Sequence, residues 1–397
     1  MTKARSGTTA QLVQLCVGYF VAYVLTGILV KYFTVVRSPK MSEMAYLFNN
    51  TLGGSAFPLL VVLLLGWVKL LQSNRTISWA GLRMPAEVAY IVPSGICTAV
   101  VIPTTTLMYS LPISVMVAMV IMRGSVIVIS RVVDELQIRQ GILKKRVYHE
   151  ENLAVMFALL AVATNVLLLP VVAFLDGRGI KASAALGLSA SAVQGSFDFI
   201  HSAPALVILG LYITAYAFRI YIMNYYKNTR GRGVELDNRG FFAVEQIAAC
   251  VGMVAIGGFF VMSPGLLGFR DQRILDFSGA ALHPDLSAIL AGLPYGLVAF
   301  FSVFIFMFKG RTATFAGLVN RLTSLLAGTV ATLLTFFLFK LKLPSLQDWL
   351  SVALILVAVY FLTRAERRRA AELGLAPAPA APLATAVTPV PARPPAG

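Results

Sequence analysis

The sequence predicts an all-α polytopic membrane protein with ten transmembrane helices, arranged as two inverted five-helix repeats. The chain of 397 residues is 58% hydrophobic and only 13% charged, with a mean hydropathy of +0.80. Soluble domains have far more surface charge than this. Its apolar residues fall in runs long enough to cross a membrane. Two of these runs have one arginine near the middle, Arg123 and Arg321, which lie 198 positions apart.

The ten spans are read from the lengths of the apolar segments. A transmembrane helix needs roughly 20 mainly apolar residues, with apolar side chains on every side of the helix. The segments that meet this measure are residues 11–30, 51–71, 86–108, 111–133, 152–175, 204–225, 241–263, 286–308, 312–339 and 346–363. Very short connections join the third span to the fourth and the eighth to the ninth. Each of these pairs is therefore expected to form a tight helical hairpin.

The orientation follows from the basic residues of the loops, which are enriched on the cytoplasmic side. With the N-terminus inside, about two thirds of the 33 lysines and arginines fall on the cytoplasmic side. Both termini are therefore predicted to be cytoplasmic, and an odd number of spans per half inverts the second half relative to the first. The net charge of +16 is explained by this placement and does not indicate a nucleic-acid partner.

The chain divides into a transmembrane domain and a tail. Residues 1–370 contain the ten helices, with repeats at about 11–175 and 204–363. The first span lacks a convincing small-residue cleavage site and is expected to be retained. Residues 371–397 are rich in Ala and Pro and are predicted to be a disordered cytoplasmic tail. The three cysteines lie in apolar runs without paired spacing, which is typical of small core residues; they are Cys16, Cys97 and Cys250.

The fourth span carries the most specific pattern of the chain. Residues 103–134 read PTTTLMYSLPISVMVAMVIMRGSVIVISRVVD, with a Met-Arg-Gly-Ser core. This resembles the drug/metabolite transporter superfamily, nearest its nucleotide-sugar-transporter-like solute-carrier branch, which often shows a QMLRG core before VIIFT. FFAVEQIAACVG and TATFAGLVNRLTSLLAGTVATLLTFFLF are similar to the seventh and ninth spans of that branch. This chain has Val120 where that core usually has Gln.

The resemblance implies a ten-span secondary transporter with its site near the membrane midplane between the repeats. Together with the arginines it favours a small polar, anionic substrate, a nucleotide sugar or similar metabolite, moved by alternating access. We expect a small-molecule substrate and membrane lipids as partners, and a homodimer is left open. The expected location is the cell's inner or plasma membrane, with an organelle membrane as the alternative.

Arg123 is the first candidate for a binding residue. A charged side chain in the middle of a span costs at least about 2.5–3.5 kcal/mol on insertion scales unless a partner, a ligand or water meets it. The guanidinium binds phosphate or carboxylate through two parallel hydrogen bonds, so an anion site is one interpretation. A structural arginine paired with a carboxylate or with helix-end carbonyls is the other.

The span around Arg321 has one small and polar face, in which residues recur at steps of three and four. It contains Thr314, Gly317, Arg321, Ser324 and Gly328, with Asn320 beside it. Such a face lines a cavity or lets a neighbouring helix approach closely, and both readings stay open. The predicted substrate-binding residues are Arg123, Arg321, Asn320, Ser324, Thr314 and Tyr295.

Glu245 is the only carboxylate well inside a predicted span. It is a candidate proton-coupling site or a structural counter-ion to one of the buried arginines. Arg219, the third intramembrane arginine, is placed where its long side chain could simply reach the membrane interface.

The sequence does not contain the motifs of common membrane enzymes and pumps. There is no Walker A sequence, no nucleophile elbow, and no second histidine after the HEEN at 149–152 to complete a zinc site. No catalytic residue, cofactor or metal is therefore predicted, and the protein is not expected to be an enzyme. The rival hypothesis is a non-transport membrane protein, either an assembly factor or a lipid-modifying enzyme.

Overall fold

The computed structural model describes residues 9–73, 75–79, 82–143, 148–186, 201–229, 237–306, 313–341, 343–344 and 346–375. The residues in these ranges are 83% helical. The helices of the first half are α1 (Thr9–Lys31), α2 (Glu43–Leu64), α3 (Val88–Ser110), α4 (Val115–Arg139), α5 (His149–Val166), α6 (Leu168–Gly177) and the short α7 (Ala182–Ala185). A π-helical turn, Tyr32–Val36, extends α1. Between α2 and α3 lie a 3-10 turn (Trp67–Leu70) and an antiparallel hairpin of β1 (Thr76–Trp79) and β2 (Leu82–Pro85).

The second half of the chain also consists mainly of long helices. They are α8 (Ala203–Asn228), α9 (Asn238–Leu267), α10 (Gln272–Leu282), α11 (Leu286–Leu290), α12 (Leu293–Phe306), α13 (Ala313–Phe339) and α14 (Leu346–Leu375). The predicted tail at 376–397 lies outside the described residues, as does the connection between α12 and α13.

Within the described ranges, nine helical segments are long and apolar enough to cross a membrane. They are Gln11–Val36, Glu43–Leu64, Val88–Ser110, Val115–Arg139, Ala203–Asn228, Asn238–Leu267, Leu286–Ile305, Val319–Phe339 and Gln347–Ala365. An all-α fold and many membrane-spanning helices agree with the sequence prediction. The predicted span at 152–175 is not among the nine, because it is divided between α5 and α6 at Leu167. Pro170 accounts for the break, since its ring has no N–H and clashes with the carbonyl group four residues before it.

The predicted second span, 51–71, begins and ends too late. In the structure α2 starts at Glu43, where Ser42 caps it by accepting a hydrogen bond from the Ala45 N–H at 3.3 Å. It ends at Leu64, just before Gly66 takes a left-handed conformation. The predicted span leaves out Asn49 and Asn50, which lie in the first turns of α2. Both are buried: Asn49 accepts from the Asp285 backbone N–H at 2.9 Å, and Asn50 donates to the Ala291 carbonyl at 3.3 Å.

The helices pack so that α3 and α12 lie at the centre. Helix α3 packs against α8 and α9, and α12 packs against α1 and α2. Helix α4 contacts α5, α8 and α13, while α14 packs along α5. The α3–α4 connection is short, as predicted, but the two helices contact each other little beyond it and do not pack as a tight hairpin. The buried Lys31 ammonium donates to the Leu111 carbonyl of this connection at 2.8 Å.

Small residues allow the closest of these contacts. A Cβ atom on Gly53 of α2 would lie 1.8 Å from the Ile289 carbonyl oxygen, and one on Gly292 would lie 2.2 Å from the Asn50 carbonyl oxygen. Gly95 of α3 is similarly close to Glu245 and Ala248 of α9. Glycine at these points lets one helix backbone lie directly on the next, as in membrane helix pairs generally.

Gly53→Ala should therefore destabilise the protein strongly. The added methyl group meets backbone atoms rather than a flexible side chain, so the helices must separate, and overpacking of this kind costs about 1–3 kcal/mol or more. Gly210→Ala in α8 is the matched control, since nothing lies within 4 Å of its added methyl group, and alanine favours the helix. Thermal unfolding in detergent should show a lower Tm for the first variant only. Equal Tm values would contradict this packing.

Candidate functional site: a tyrosine-lined cavity at Arg123

A small cavity of about 40 Å³ lies between the central helices. Helix α3 contributes one face of it, at Thr98, Val101, Ile102 and Thr105. Helix α12 contributes an equivalent face, at Tyr295, Val298, Ala299 and Ser302. Both sets follow the spacing of one side of a helix. Since a cavity of roughly 10–15 Å³ on this measure holds one water molecule, this one has room for a few waters or one very small ion.

Arg123 of α4 lies at this cavity with its charge uncompensated. The residue is 3% exposed, and its Nη2 donates a hydrogen bond to the Tyr23 hydroxyl of α1. Its Nε has no hydrogen-bond partner, and within the described part of the chain no carboxylate pairs with it. A buried guanidinium without a counter-ion is costly. The arrangement therefore suits an anion that the cavity can admit.

Tyrosines surround the guanidinium on two further helices. Tyr19 and Tyr23 of α1 pack edge to face with ring centroids 4.8 Å apart, and Tyr212 and Tyr216 of α8 are 5.3 Å apart. Three of these four rings line the cavity. Phenol hydroxyls donate hydrogen bonds and carry no charge of their own, so they add to a positive, hydrogen-bonding environment. The sequence analysis missed these residues, although Tyr-x-x-Ala-Tyr occurs at both 19–23 and 212–216.

Arg321 lies elsewhere than predicted. Its Nη2 donates to the Ser130 hydroxyl and, at 3.4 Å, to the Val126 carbonyl, both on α4. Ser130 is seven residues beyond Arg123, or about 10 Å along a helix axis at 1.5 Å per residue. The arginine is 8% exposed, its Nε lacks a partner, and it is not one of the residues that line the cavity. The structure thus places the two arginines at different depths.

The four other predicted binding residues have different surroundings. Tyr295 lines the cavity, and its hydroxyl donates to the Ile102 carbonyl at 3.5 Å. Asn320 accepts from the Tyr19 hydroxyl at 3.0 Å and donates to the Ser302 hydroxyl at 3.3 Å, so it supports the cavity wall. Ser324 donates to the carbonyl of Arg321 within its own helix. The side chain of Thr314 is outside the described part of the structure.

Glu245 of α9 pairs with Arg219 of α8. Arg219 donates from Nε to Oε1 at 2.8 Å and from Nη2 to Oε2 at 3.0 Å. The hydroxyls of Ser94 and Thr98 also donate to Oε1, at 2.7 and 3.3 Å. Arg219 is buried and lines the same cavity as Arg123. The expectation that it reaches the membrane interface was wrong, because a buried carboxylate holds it inside.

Length and composition thus define the class of the protein as a multi-pass helical membrane protein. No family model matches the chain, and no curated protein matches it. It is similar to a solved chain described only as "Crystal structure of protein", at 14% identity and a TM-score of 0.41. The similarity covers 91% of this chain and 99% of that one. A likeness of this size supports no argument about function.

Proposed function

We propose that this protein is a secondary transporter that moves a small anionic metabolite across a membrane by alternating access. The observation that carries the proposal is Arg123, a nearly fully buried guanidinium that has no carboxylate partner among the described residues and lies at a hydroxyl-lined cavity. Charged groups held inside a membrane protein typically mark the path of a substrate or an ion.

The helix contacts support two repeats, because the pattern of contacts is kept when each helix is exchanged for its counterpart in the other half. Helix α3 packs on α9 as α12 packs on α2, and α3 packs on α8 as α12 packs on α1. Helix α1 packs on α13 as α8 packs on α4, and α4 packs on α5 as α13 packs on α14. Each helix is thus matched by the corresponding helix of the other half, with α5 and α6 together matched by α14. This arrangement supports ten crossings, with the fifth interrupted at Leu167.

The cavity walls support the same relation. Each of the four lining residues of α12 lies 197 positions after its counterpart on α3, so Thr98 matches Tyr295 and Thr105 matches Ser302. A site built equally from two repeats is the arrangement of many secondary transporters, in which the halves rock about a central site.

The small cavity volume implies that the helices move for substrate to enter. Binding sites for metabolites usually have about 300–1,000 Å³, against about 40 Å³ here.

Polar contacts hold the halves together at two levels. Arg37 donates to Asp285 at 2.7 Å near one end, and Gln137 donates to the Tyr221 carbonyl at 2.9 Å near the other. Asp285 lies outside the membrane, and hydrogen bonds from Ser287 and Arg37 lower its pKa to about 2. Because these contacts hold the halves together around a small cavity, we infer that this conformation is a closed state.

Both termini are expected to be cytoplasmic in this arrangement. Reporter fusions placed after Lys3 and after Arg369 should both report the cytoplasmic side, because an even number of crossings returns the chain to the side where it began. A fusion between α7 and α8 should report the opposite side. Opposite locations for the two termini would contradict the ten crossings.

Counterflow in proteoliposomes tests the function itself. Purified protein is reconstituted into vesicles loaded with one unlabelled compound at a time, from a panel of nucleotides, nucleotide sugars and organic acids, and uptake of the labelled compound is followed. Saturable uptake that requires the same compound inside supports a transporter. An assembly factor or a lipid-modifying enzyme would give no more uptake than empty vesicles for every compound.

A further inference from the structure

A second guanidinium lines the cavity, and this one already forms an ion pair with a carboxylate of the protein. Arg123 and Arg219 line the same small space, but among the described residues only Arg219 has a carboxylate partner, through its two hydrogen bonds to Glu245. Tyr23 of α1 and Tyr212 and Tyr216 of α8 line this space with them. Two arginines on facing helices match the two or more oxygens of a carboxylate, phosphate or sulfate group.

We propose that Glu245 is a built-in competitor for the anion site, so that an oxyanion binds between Arg123 and Arg219 when Glu245 releases Arg219 and takes up a proton. This inference depends on the proposed function only in taking an anion as the ligand. The proton comes from the aqueous phase and binds a carboxylate oxygen of Glu245, so binding of one anion is accompanied by uptake of one proton. The covalent change is limited to this proton transfer: hydronium gives up a proton and becomes water, and the O–H bond of the carboxyl group forms.

The surroundings of Glu245 allow this exchange. Its Oε1 accepts hydrogen bonds from Ser94 and Thr98 as well as from Arg219, whereas Oε2 is bonded only to Arg219. After release, the two hydroxyls still hold the carboxyl group, and protonation removes the cost of a buried charge without its partner. Arg219 would then give two donors to the incoming anion in place of the two it gave to Glu245.

The titratable groups near the pair come from three helices. Helix α8 contributes Arg219 and Tyr216, α3 contributes Cys97, and α12 contributes Tyr295. From the other elements packed on α9, the charged residues are near the aqueous ends of their helices; these are Glu43 of α2, Lys69 of the 3-10 turn, and Arg273 and Asp276 of α10. Among the carboxyl groups of α9 and of the elements packed on it that are named here, Glu245 is the one in contact with an arginine of the cavity. A proton taken up on anion binding is therefore assigned to it.

Sulfate is a suitable probe, because it stays a dianion across the working pH range. The full-length protein in detergent is titrated with sodium sulfate, against sodium chloride at equal ionic strength, and the sulfate Kd is read from the rise in Tm. For the native chain we expect the Kd to fall about tenfold per unit decrease in pH, the slope for uptake of one proton. Glu245→Gln should bind sulfate at least about tenfold more tightly at pH 7 and lose that slope, because Arg219 no longer has a charged competitor.

The matched control replaces both members of the pair. Arg219→Gln with Glu245→Gln has no buried charge at this point, and it should bind sulfate at least about tenfold more weakly than Glu245→Gln alone. Equal sulfate affinity for these two variants would overturn the inference, as would a Glu245→Gln variant that binds sulfate no better than the native chain. These results concern binding and protons only. A chain that passes them but shows no counterflow would contradict the proposed function and leave this inference standing.

Discussion

Arg219→Gln is expected to lower the free energy of unfolding by about 3–5 kcal/mol, the cost of breaking a buried ion pair by removing one member. Glu245 is 1% exposed and would keep only the Ser94 and Thr98 hydroxyls as partners. A glutamine amide reaches less far than arginine and carries no charge, so it cannot replace the guanidinium. Thermal or denaturant unfolding in detergent, with folded yield measured beside it, gives the effect.

The double variant Arg219→Gln with Glu245→Gln separates the charge from the side-chain volume. It should regain most of the lost stability, because two amides in this position can hydrogen-bond without a stranded charge. If the double variant is as unstable as Arg219→Gln alone, the destabilisation comes from packing, and the ion pair is not its cause.

Arg123→Gln is expected to reduce uptake by at least about tenfold to a hundredfold while the protein remains folded. The reason is that a hydrogen bond to a charged group contributes about 1.5–3 kcal/mol, and glutamine removes both the charge and the paired donors. No carboxylate pairs with Arg123 in the described chain, so its replacement strands no opposite charge. Uptake in proteoliposomes and Tm on the same preparations measure the two effects.

Arg321→Gln is the matched control for this prediction. It removes the same groups from a buried arginine that contacts Ser130 and Val126 and does not line the cavity. Uptake should fall less than for Arg123→Gln. Equal loss in both variants would restore the sequence expectation that the two arginines share one site.

The sequence predicted the membrane class, and it singled out Arg123 because a charge in an apolar run is visible without a structure. It also drew attention to Glu245, but it could not say which arginine was its partner. That choice depends on the packing of α8 and α9 against the same helix, α3, which no spacing in the chain reveals. Arg219 was misread for the same reason.

Two features of the fold were misjudged. The predicted second span began after Asn49 and Asn50, yet both are buried and hydrogen-bonded within α2 or across to the second half of the chain. Pro170 was counted within one long span, although it divides α5 from α6. Of the tyrosines that line the cavity, the sequence analysis singled out only Tyr295. The repeated Tyr-x-x-Ala-Tyr at 19–23 and 212–216 was a signal that could have identified the others.

Accessibility of the cavity from both sides tests alternating access most directly. Ser302→Cys places a thiol on the cavity wall, in a chain whose Cys16, Cys97 and Cys250 are first replaced by alanine. A membrane-impermeant thiol reagent is applied to vesicles of each orientation, with and without a compound that gives counterflow. The account predicts labelling from both sides and slower labelling when that compound is present. Labelling from one side only, at a rate the compound does not change, would contradict it.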